Sequence, residues 1–192
     1  SWRKVTSGVP QGSVLGSNLF LIYINDLDSG VMSWILKFAD DTKIYRRIRG
    51  GDDRQQLQRD LDRLISWSME WQMLFNDKKC KTMHIGDGSR HVYKMGNHDI
   101  ENIVVERDLG VMLSSDMKML SHCNFAYAKA NRMLGLLKRT IRYRRTDIMV
   151  CLYKALVRPH LEYCSSVWSP YYKKDRELLE RVQHRFTKMF SG

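Results

Sequence analysis

The amino-acid sequence predicts an α+β protein in which short antiparallel strands mix with helices over residues 1–119 and helices alone fill residues 120–192. Composition is the first indication: 43% of the residues are hydrophobic and 28% are charged, which excludes a wholly disordered chain. The second is a change of pattern. Short apolar runs bounded by turn residues occupy the first part, whereas helical spacing dominates from Met119 onward.

Positive charge is concentrated in the last third of the chain. The 32 Lys and Arg exceed the 21 Asp and Glu and give a formal net charge of +11. Residues 129–192 hold 15 basic and 5 acidic residues, so the first 128 are nearly balanced at 17 and 16. So basic a protein usually binds an anionic partner, most often nucleic acid or a membrane surface. The longest apolar run, residues 19–24, is far shorter than the roughly 20 residues of a membrane span, which excludes a membrane span. We expect nucleic acid and no membrane as the partner.

The first 50 residues predict a loop, a helix and a hairpin. Gly8-Val9-Pro10-Gln11-Gly12 is rich in turn residues and predicts the loop. Apolar residues recur over 14–27 with helical spacing and predict the helix. Residues 34–39 and 43–45 flank Asp40-Asp41, which predicts two short strands joined by an acidic turn.

A long amphipathic helix is predicted to begin at Asp52, a residue type that caps helices well. Asp60 and Asp62 alternate with arginines and are predicted to face solvent. The apolar stripe of this helix consists of Leu57, Leu61, Leu64, Ile65 and Trp67.

Three more strands and three more helices are predicted further along the chain. The strands are residues 83–85, 91–93 and 109–113, with a hairpin turn over residues 95–99. Three apolar stripes predict the helices. The first stripe is Ala126, Ala130, Met133, Leu134 and Leu137; the second is Ile148, Leu152, Ala155 and Leu156, stopped by Pro159; the third is Leu178, Leu179, Val182, Phe186 and Met189.

The four cysteines are scattered, which predicts free, buried thiols rather than a zinc site. His160 lies four residues before Cys164 and His122 adjoins Cys123, but neither pair has the spacing of a zinc finger. Free thiols are typical of a reducing compartment, so we expect an intracellular protein, in the nucleus, the cytoplasm or both.

Phe38-Ala39-Asp40-Asp41 is the most informative segment. Adjacent carboxylates repel each other, and a divalent cation between them removes that repulsion. Mg²⁺ that is also bound to a phosphate prefers such hard oxygen ligands. Solvated Asp-Asp turns are common, so on the tetrapeptide alone a solvated turn is the better interpretation. The upstream loop favours the metal interpretation. Its glycines allow the backbone to approach a ligand closely, and the N-terminus of the helix that follows attracts an anion such as a phosphate.

These segments resemble the reverse transcriptases of non-LTR (LINE-type) retrotransposons, and the resemblance covers essentially the whole chain. Residues 8–16 resemble the nucleotide- and template-binding motif of that family, and residues 38–41 resemble its catalytic box. The remaining matches, in chain order, are residues 75–80 with the motif that closes the palm, 108–111 with the entry to the primer grip, and 156–163 and 176–183 with thumb segments.

The resemblance implies a partial polymerase palm in residues 1–119 and a basic helical thumb in residues 120–192. It also implies a reaction: the transfer of a nucleotide from a deoxynucleotide triphosphate to the 3′ hydroxyl of a DNA primer, along an RNA template and with Mg²⁺. Asp40 would be the principal metal ligand and Asp41 its weaker companion. Lys79 would supply charge or a proton to the leaving pyrophosphate, although a solvated lysine is an equal alternative.

Further roles are implied for residues around the box. Nucleotide or primer contacts would come from Gly8, Pro10, Gln11, Gly12, Phe38 and Gly110. The basic surplus itself predicts nucleic-acid contacts for Lys138, Arg139, Arg142, Arg144 and Arg145.

The chain also departs from the family pattern. Family members carry another metal-binding aspartate well before the Gly8 loop, whereas no acidic residue precedes Asp26 here. We therefore expect a piece of a longer reverse transcriptase that is inactive by itself, with self-association or a partner chain covering the incomplete palm. The alternative is a non-catalytic module, derived from a retrotransposon, that binds nucleic acid or a protein. A small magnesium phosphohydrolase ranks last, because no nucleophile or further acidic cluster is present.

Overall fold

The computed structural model describes residues 8, 12–86, 88, 90–143 and 145–189, which form a mixture of helices and short strands. The predicted α+β class is confirmed at this level. The chain divides into two compact units, residues 1–82 with 90–101 and residues 83–89 with 102–192, here called the first and second unit. No helix in the described part of the chain combines the length and apolar character needed to cross a membrane.

Two helices and two small hairpins make up the first unit. Its elements are α1 (Val14–Tyr23), β1 (Trp34–Phe38), β2 (Asp41–Tyr45), α2 (Gly51–Glu70), a 3₁₀ turn (Asp77–Lys79), β4 (Lys94–Met95) and β5 (His98–Asp99). Strands β3 (Lys81–Met83) and β6 (Glu101–Ile103) lie where the chain passes between the units.

Both predicted hairpins of the first unit are present. Strands β1 and β2 pair antiparallel from Trp34 opposite Tyr45 to Phe38 opposite Asp41. Strands β4 and β5 enclose the predicted turn at Gly96-Asn97. The strand predicted at residues 91–93 lies directly after those residues instead, as β4 (Lys94–Met95). Tyr93, directly before it, is buried, and its carbonyl accepts the Ile100 N–H at 2.8 Å. The strand predicted at 83–85 ends at Met83.

Helix α2 forms the core of the first unit through its predicted apolar stripe. One cluster joins its Leu64 and Trp67 to Ile24 and Leu27, and a second joins its Leu61 to Tyr93, Met95 and Ile100. Burial of these side chains is the main source of stability in so small a unit.

Two predictions about α2 are wrong. The helix begins at Gly51, with Gly50 as N-cap, rather than at Asp52. Asp53, in the first turn of the helix, accepts the backbone N–H of Arg49 at 2.9 Å, so this N–H just before the helix has a hydrogen-bond partner. Asp60 does not face solvent: it is fully buried, because it binds the backbone before β1.

The second unit is a hairpin followed by helices. Its elements are β7 (Val105–Asp108), β8 (Val111–Ser114), α3 (Leu120–Thr140), α4 (Thr146–Leu152), a π turn (Tyr153–Val157), α5 (Arg158–Glu162), α6 (Ser165–Trp168) and α7 (Lys173–Thr187). The strand predicted at residues 109–113 begins instead at Val111, because Leu109 and Gly110 both have positive φ and form the turn between β7 and β8. The hairpin β7–β8 groups with the C-terminal helices, and the division at residue 120 stays a prediction.

The helices of the second unit bury the first and third predicted stripes but not the second. Helices α3 and α7 share a core that includes Leu134, Leu137, Val182 and Phe186. In the helical segment between them, however, Met149 and Val157 are fully buried, while Ile148 and Leu156 are 42% and 40% exposed.

The second stripe is not buried as predicted, because this helical segment is irregular. Helical structure continues past Pro159, which lies in the first turn of α5, instead of stopping there. Proline lacks an N–H, and within a helix its ring clashes with the carbonyl four residues before it. The wider π turn at Tyr153–Val157, directly before α5, makes room for the Pro159 ring. The extra residue in that turn shifts the buried face.

All four cysteines are free, as predicted, but only Cys123 is fully buried. Burial raises the pKa of the Cys123 thiol to about 11, so this group remains protonated. Cys151 and Cys164 are exposed, which contradicts the expectation of buried thiols.

Candidate functional site

The β1–β2 hairpin presents the two acidic residues in different ways. Asp40 lies in the turn, whereas Asp41 is the first residue of β2 and pairs with Phe38. Side chains alternate along a strand, so Asp41 projects from the same face as Lys43 and Tyr45. Both carboxylates are exposed, and in the described part of the chain neither makes a hydrogen bond or an ion pair.

The turn between the strands contains a backbone conformation that is rare for its residue type. Ala39 has φ of 50°, in the left-handed region that favours glycine. Such a conformation costs of order 1–3 kcal/mol and persists only where the surrounding structure enforces it. The strands therefore hold the Asp40-Asp41 tip in a fixed, strained shape.

The inner face of the hairpin is anchored to the first unit. Ile35 and Ile44 pack against the core cluster that contains Leu64 and Trp67. Lys37 Nζ donates to Asp28 Oδ1 at 2.8 Å and also to two backbone carbonyls after α1. The hydrogen bond from Lys37 lowers the pKa of Asp28, which therefore stays ionised. Asp28 thus fixes the hairpin and is not a free, solvated carboxylate.

The neighbouring Asp26 also has a structural partner. Its Oδ1 accepts the Trp67 Nε1–H at 3.0 Å, which ties the end of the α1 segment to α2. Asp26 and Asp28 therefore both form bonds that support the hairpin.

The outer face of the hairpin is apolar and exposed. Trp34, Leu36 and Phe38 lie on it and are 70%, 56% and 61% exposed. The Trp34 ring stacks on Tyr45, with centroids 6.4 Å apart and planes inclined by 13°. This surface, here called the outer hairpin face, leads directly to Asp41 because Phe38 and Asp41 are paired.

The donor set suits one hard cation rather than two. Two carboxylates supply oxygen ligands, and Mg²⁺ commonly completes an octahedral shell with waters and substrate phosphates. The described residues contain no cluster of three or more His, Cys, Asp or Glu side chains that would hold a cation by themselves. A pair of closely spaced metal ions needs more ligands than Asp40 and Asp41 provide.

Of the predicted glycine loop, the structure describes Gly8 and Gly12, which precede α1. Gly8 and Gly12 have φ of 92° and 78°, a conformation that glycine adopts without strain. Ser13 caps α1 by accepting the Gly16 N–H at 3.0 Å, so the helix begins directly after the loop. Pro10 and Gln11 lie outside the described residues.

Lys79 lies at the end of the 3₁₀ turn with an exposed side chain. Its backbone N–H donates to the Asn76 carbonyl at 2.9 Å. Within the described residues, no hydrogen bond or ion pair joins Lys79 to Asp40 or Asp41. Its assignment to the leaving group stays a prediction.

Gly110 is required by packing in the second unit. It has φ of 89° in the β7–β8 turn, and a Cβ added there would lie 2.9 Å from Cε1 of Tyr163. The Tyr163 hydroxyl donates to the Leu109 carbonyl at 3.0 Å, which holds the ring across the turn. The predicted primer contact of Gly110 stays a prediction.

The predicted nucleic-acid contacts lie in and after the last turn of α3. Lys138 and Arg139 belong to that turn, where their charge complements the helix dipole. Arg142 is exposed, whereas Arg145 forms two hydrogen bonds to Asp147, the shorter at 2.8 Å. Asp147 therefore offsets part of the charge of Arg145. Arg144 lies outside the described residues.

Sequence reasoning missed a basic pocket in the second unit. Arg107 and Lys129 both lie over the ring of Phe125, and the three residues line one cavity. A signal was present in the sequence, since residues four apart on a helix, such as Phe125 and Lys129, share a face.

Comparison with known proteins gives the family. Residues 1–136 match the family model described as reverse transcriptase (RNA-dependent DNA polymerase). The chain is 23% identical over 208 residues to the RNA-directed DNA polymerase from mobile element jockey of Drosophila melanogaster. It is 24% identical over 208 residues to the probable RNA-directed DNA polymerase from transposon X-element of the same species.

A third similar protein is the jockey polymerase of Drosophila funebris, 22% identical over 209 residues. Alignments cover 99–100% of this chain but 22% of each relative, so the chain spans about a fifth of their length. No solved structure matches. The match to the family model extends over more than half of the chain and agrees with the motifs at residues 8–16 and 38–41, so the chain belongs to the reverse transcriptases of non-LTR (LINE-type) retrotransposons.

Proposed function

We propose that this chain contributes the Asp40-Asp41 part of the active site to a larger polymerase that copies retrotransposon RNA into DNA. Residues 1–119 would form part of its palm and residues 120–192 its thumb. The observation that carries the proposal is the tight β1–β2 hairpin, which exposes two carboxylates at a strained and anchored tip. The names of the similar Drosophila proteins support the same reaction.

Each residue of the hairpin has a distinct part in this proposal. Asp40 and Asp41 would hold Mg²⁺, which when bound activates the attacking hydroxyl and stabilises charge on the transferring phosphoryl group. Lys37 holds the hairpin through Asp28, so the carboxylates are positioned before substrate arrives. Phe38, exposed beside Asp41, offers an apolar surface to the primer end.

We further propose that the 192-residue chain alone does not catalyse synthesis. Asp40 and Asp41 supply ligands for one cation, and no acidic residue precedes Asp26. Primer extension on an RNA template with Mg²⁺ tests this directly. Incorporation by the isolated chain that disappears in Asp40→Asn would contradict it.

A chimera tests the catalytic role itself. In the jockey polymerase of Drosophila melanogaster, the aligned region is replaced by this chain, and primer extension is measured. The chimera is expected to extend primers. Asp40→Asn is expected to reduce extension more than about a hundredfold, since loss of a metal ligand exceeds the loss of an outer partner. Asp41→Asn is expected to have a smaller effect.

Asp62→Asn is the matched control for these variants. Asp62 is an exposed carboxylate of the same unit that accepts only a side-chain hydrogen bond from Gln58 in the described structure, so extension should be unchanged. A folded chimera that extends primers equally well with Asp40→Asn would show that the hairpin carboxylates are not catalytic.

The second candidate is a non-catalytic nucleic-acid-binding module, favoured by the 15 basic residues in residues 129–192. Binding of a labelled RNA–DNA duplex should weaken steeply with salt, because bound phosphates release counterions. Arg142→Gln should reduce the slope of the logarithm of the binding constant against the logarithm of the salt concentration by about 1, as expected for the loss of one phosphate contact. Arg145→Gln should have less effect, since Asp147 already offsets its charge.

Arg158→Gln is the control for this measurement, because Arg158 is paired with Glu162 at 2.6 Å and lies outside the predicted contact residues. Salt-independent binding, or an equal loss in all three variants, would contradict a localised basic interface. A chain that binds nucleic acid while the chimera remains inactive would favour the module over the polymerase.

A further inference from the structure

Lys37 is a charged residue on the inner face of the β1–β2 hairpin. Side chains alternate along a strand, so Lys37 projects on the same side as Ile35, which packs against the core cluster that contains Leu64. The Lys37 side chain is only 25% exposed. A partly buried ammonium group needs hydrogen-bond acceptors in place of water.

Each of the three protons of this ammonium group has an acceptor. Lys37 Nζ lies 2.8 Å from Asp28 Oδ1, 3.0 Å from the Asn25 carbonyl oxygen and 3.3 Å from the Ile24 carbonyl oxygen. A lysine has three donors and no acceptor, so this set uses its full capacity. The two carbonyls lie at the C-terminal end of α1, where carbonyls lack helical partners and a cation is favourable.

These bonds join the hairpin to the end of α1. Ile24 is the C-cap of α1, and the glycine loop precedes the other end of this helix. Lys37 stands three residues before Asp40, with Ala39 between them. The left-handed backbone of Ala39 persists only where the surrounding structure enforces it. The bonds of Lys37 fix the strand that enters this strained turn, and so they fix how the turn presents its carboxylates.

We propose that Lys37 is a positioning residue for the cation at Asp40 and Asp41: its bonds hold the tip in one arrangement, so that a cation does not have to order the tip on binding. The inference rests on the proposed function, which places Mg²⁺ at these carboxylates. Preorganisation raises affinity because less conformational entropy is lost when the ligand binds. Lys37 acts through the backbone of β1 and not through contact with the cation.

The charge of Lys37 acts in the opposite direction. A lysine near a bound divalent cation repels it, and removal of the lysine leaves the Asp28 carboxylate as an additional attraction. Coulomb interactions alone therefore predict that Lys37→Met tightens cation binding, by up to about twofold at 0.1 M salt. Loss of positioning predicts weaker binding. The sign of the change separates the two effects.

Fluorine NMR with Mn²⁺ measures cation binding at the tip. The full chain is labelled with 5-fluorotryptophan, and the Trp34 resonance is identified by its absence in Trp34→Phe. Trp34 begins β1 and Phe38 ends it. A strand rises about 3.3 Å per residue, so the tip is about 13 Å from Trp34 along the strand. Paramagnetic Mn²⁺ at the tip broadens the Trp34 resonance, and Asp40→Asn should abolish this broadening.

Lys37→Met is expected to weaken Mn²⁺ binding about fivefold. Residues bonded directly to a metal ligand change affinity about ten- to hundredfold, and Lys37 is one step further away. Lys43→Met is the charge control, because Lys43 projects from the same face as Asp41; it should tighten binding by up to about twofold. Lys94→Met is the matched ion-pair control, because Lys94 pairs with Asp99 at 3.8 Å on the β4–β5 hairpin; it should leave the affinity unchanged.

A second variant keeps the test decisive if the hairpin is disturbed. Without Mn²⁺, the chemical shift of Trp34 reports its stacking on Tyr45, so an unchanged shift shows that β1 and β2 remain paired. If Lys37→Met changes this shift, Lys37→Arg decides. It keeps the charge, but a planar guanidinium group cannot direct three protons at the same acceptors. Charge alone predicts no change for Lys37→Arg, whereas positioning predicts binding weakened about twofold.

Weaker binding in Lys37→Met, with the stack retained and both controls as expected, supports the proposal. Equal or tighter binding in Lys37→Met would overturn it, as would unchanged binding in Lys37→Arg where that variant decides. If the unsubstituted chain shows no broadening that depends on Asp40, the cation site of the proposed function is overturned together with this inference. That result differs from a cation site that binds Mn²⁺ but is insensitive to Lys37, so the two failures are distinguishable.

Discussion

A single carboxylate, Asp60, joins the α2 helix to the segment that leads into β1. It accepts the Met32 and Ser33 N–H groups at 3.1 and 2.9 Å, and the Ser33 hydroxyl at 2.6 Å. Gln56 donates to it at 2.9 Å, and Arg63 lies 3.6 Å away. Burial raises its pKa, but these hydrogen bonds together outweigh burial and leave the pKa lowered. The buried charge is thus stable because donors surround it.

Asp60→Asn is expected to destabilise the chain by about 1–3 kcal/mol at pH 7, because an amide cannot accept from all these donors. Since the pKa of Asp60 is lowered in the folded state, the ionised Asp60 adds to the free energy of unfolding at pH values above its ordinary pKa. This contribution is lost as the pH falls below about 4. The unfolding free energy of Asp60→Asn should therefore depend less on pH in this range. Urea unfolding at several pH values, followed by far-UV circular dichroism, measures both effects.

Asp62→Asn, on the exposed side of the same helix, should change stability by less than about 0.5 kcal/mol. Equal losses of unfolding free energy in the two variants would show that the hydrogen bonds around Asp60 stabilise the chain no more than an exposed carboxylate does.

At the scale of elements, the sequence predicted what depends on local pattern. The β1–β2 and β4–β5 hairpins follow from turn residues between apolar runs, and α2, α3 and α7 from regular stripes. The burial of Asp60 could not be predicted, because aspartate is ordinarily a surface residue and the backbone N–H groups from which it accepts lie 27–28 residues away. Distant partners of this kind leave no mark in a local pattern.

The candidate site shows the same division. Asp40, Asp41 and the loop glycines could be identified from local motifs, whereas the Lys37–Asp28 anchor and the Phe125 pocket depend on tertiary packing. The π turn before Pro159 was also beyond prediction, since a proline can end a helix or be accommodated by one.

The irregular segment from α4 to α5 makes a prediction about which face is buried. Met149→Ala should destabilise the chain by about 2–5 kcal/mol, because Met149 is fully buried against Leu134, Leu137 and Val182. The adjacent Ile148→Ala should cost about 0.5 kcal/mol or less, because Ile148 is exposed. Urea unfolding of both variants measures the difference. A larger loss of unfolding free energy in Ile148→Ala than in Met149→Ala would show that the buried face is the one predicted from the sequence.

At the scale of the whole molecule, the outer hairpin face is uncovered. Trp34, Leu36 and Phe38 are all more than half exposed, and in the described structure β1 and β2 pair only with each other. An unpaired strand edge beside an apolar surface favours pairing with another chain. This arrangement supports the self-association expected from the sequence.

We therefore predict that the sedimentation coefficient of the chain rises with concentration. Leu36→Lys should suppress the rise, because a lysine on the hairpin discourages edge pairing. Leu136→Lys is the control, since Leu136 is an exposed leucine of comparable accessibility on α3. A monomer at all concentrations, or equal suppression by both variants, would show that the hairpin does not mediate association.

The register of the hairpin links what covers the outer hairpin face to what binds at its tip. Phe38 and Asp41 are paired, so any surface that covers Phe38 also removes water from the Asp41 carboxylate. A carboxylate that loses water is stabilised by hydrogen-bond donors or by a cation, and Mg²⁺ would supply the second kind of partner to Asp41. By thermodynamic reciprocity, a docked surface strengthens cation uptake by the same factor as the cation strengthens docking. If Asp41 holds Mg²⁺ as proposed, covering the outer hairpin face and binding the cation would be cooperative.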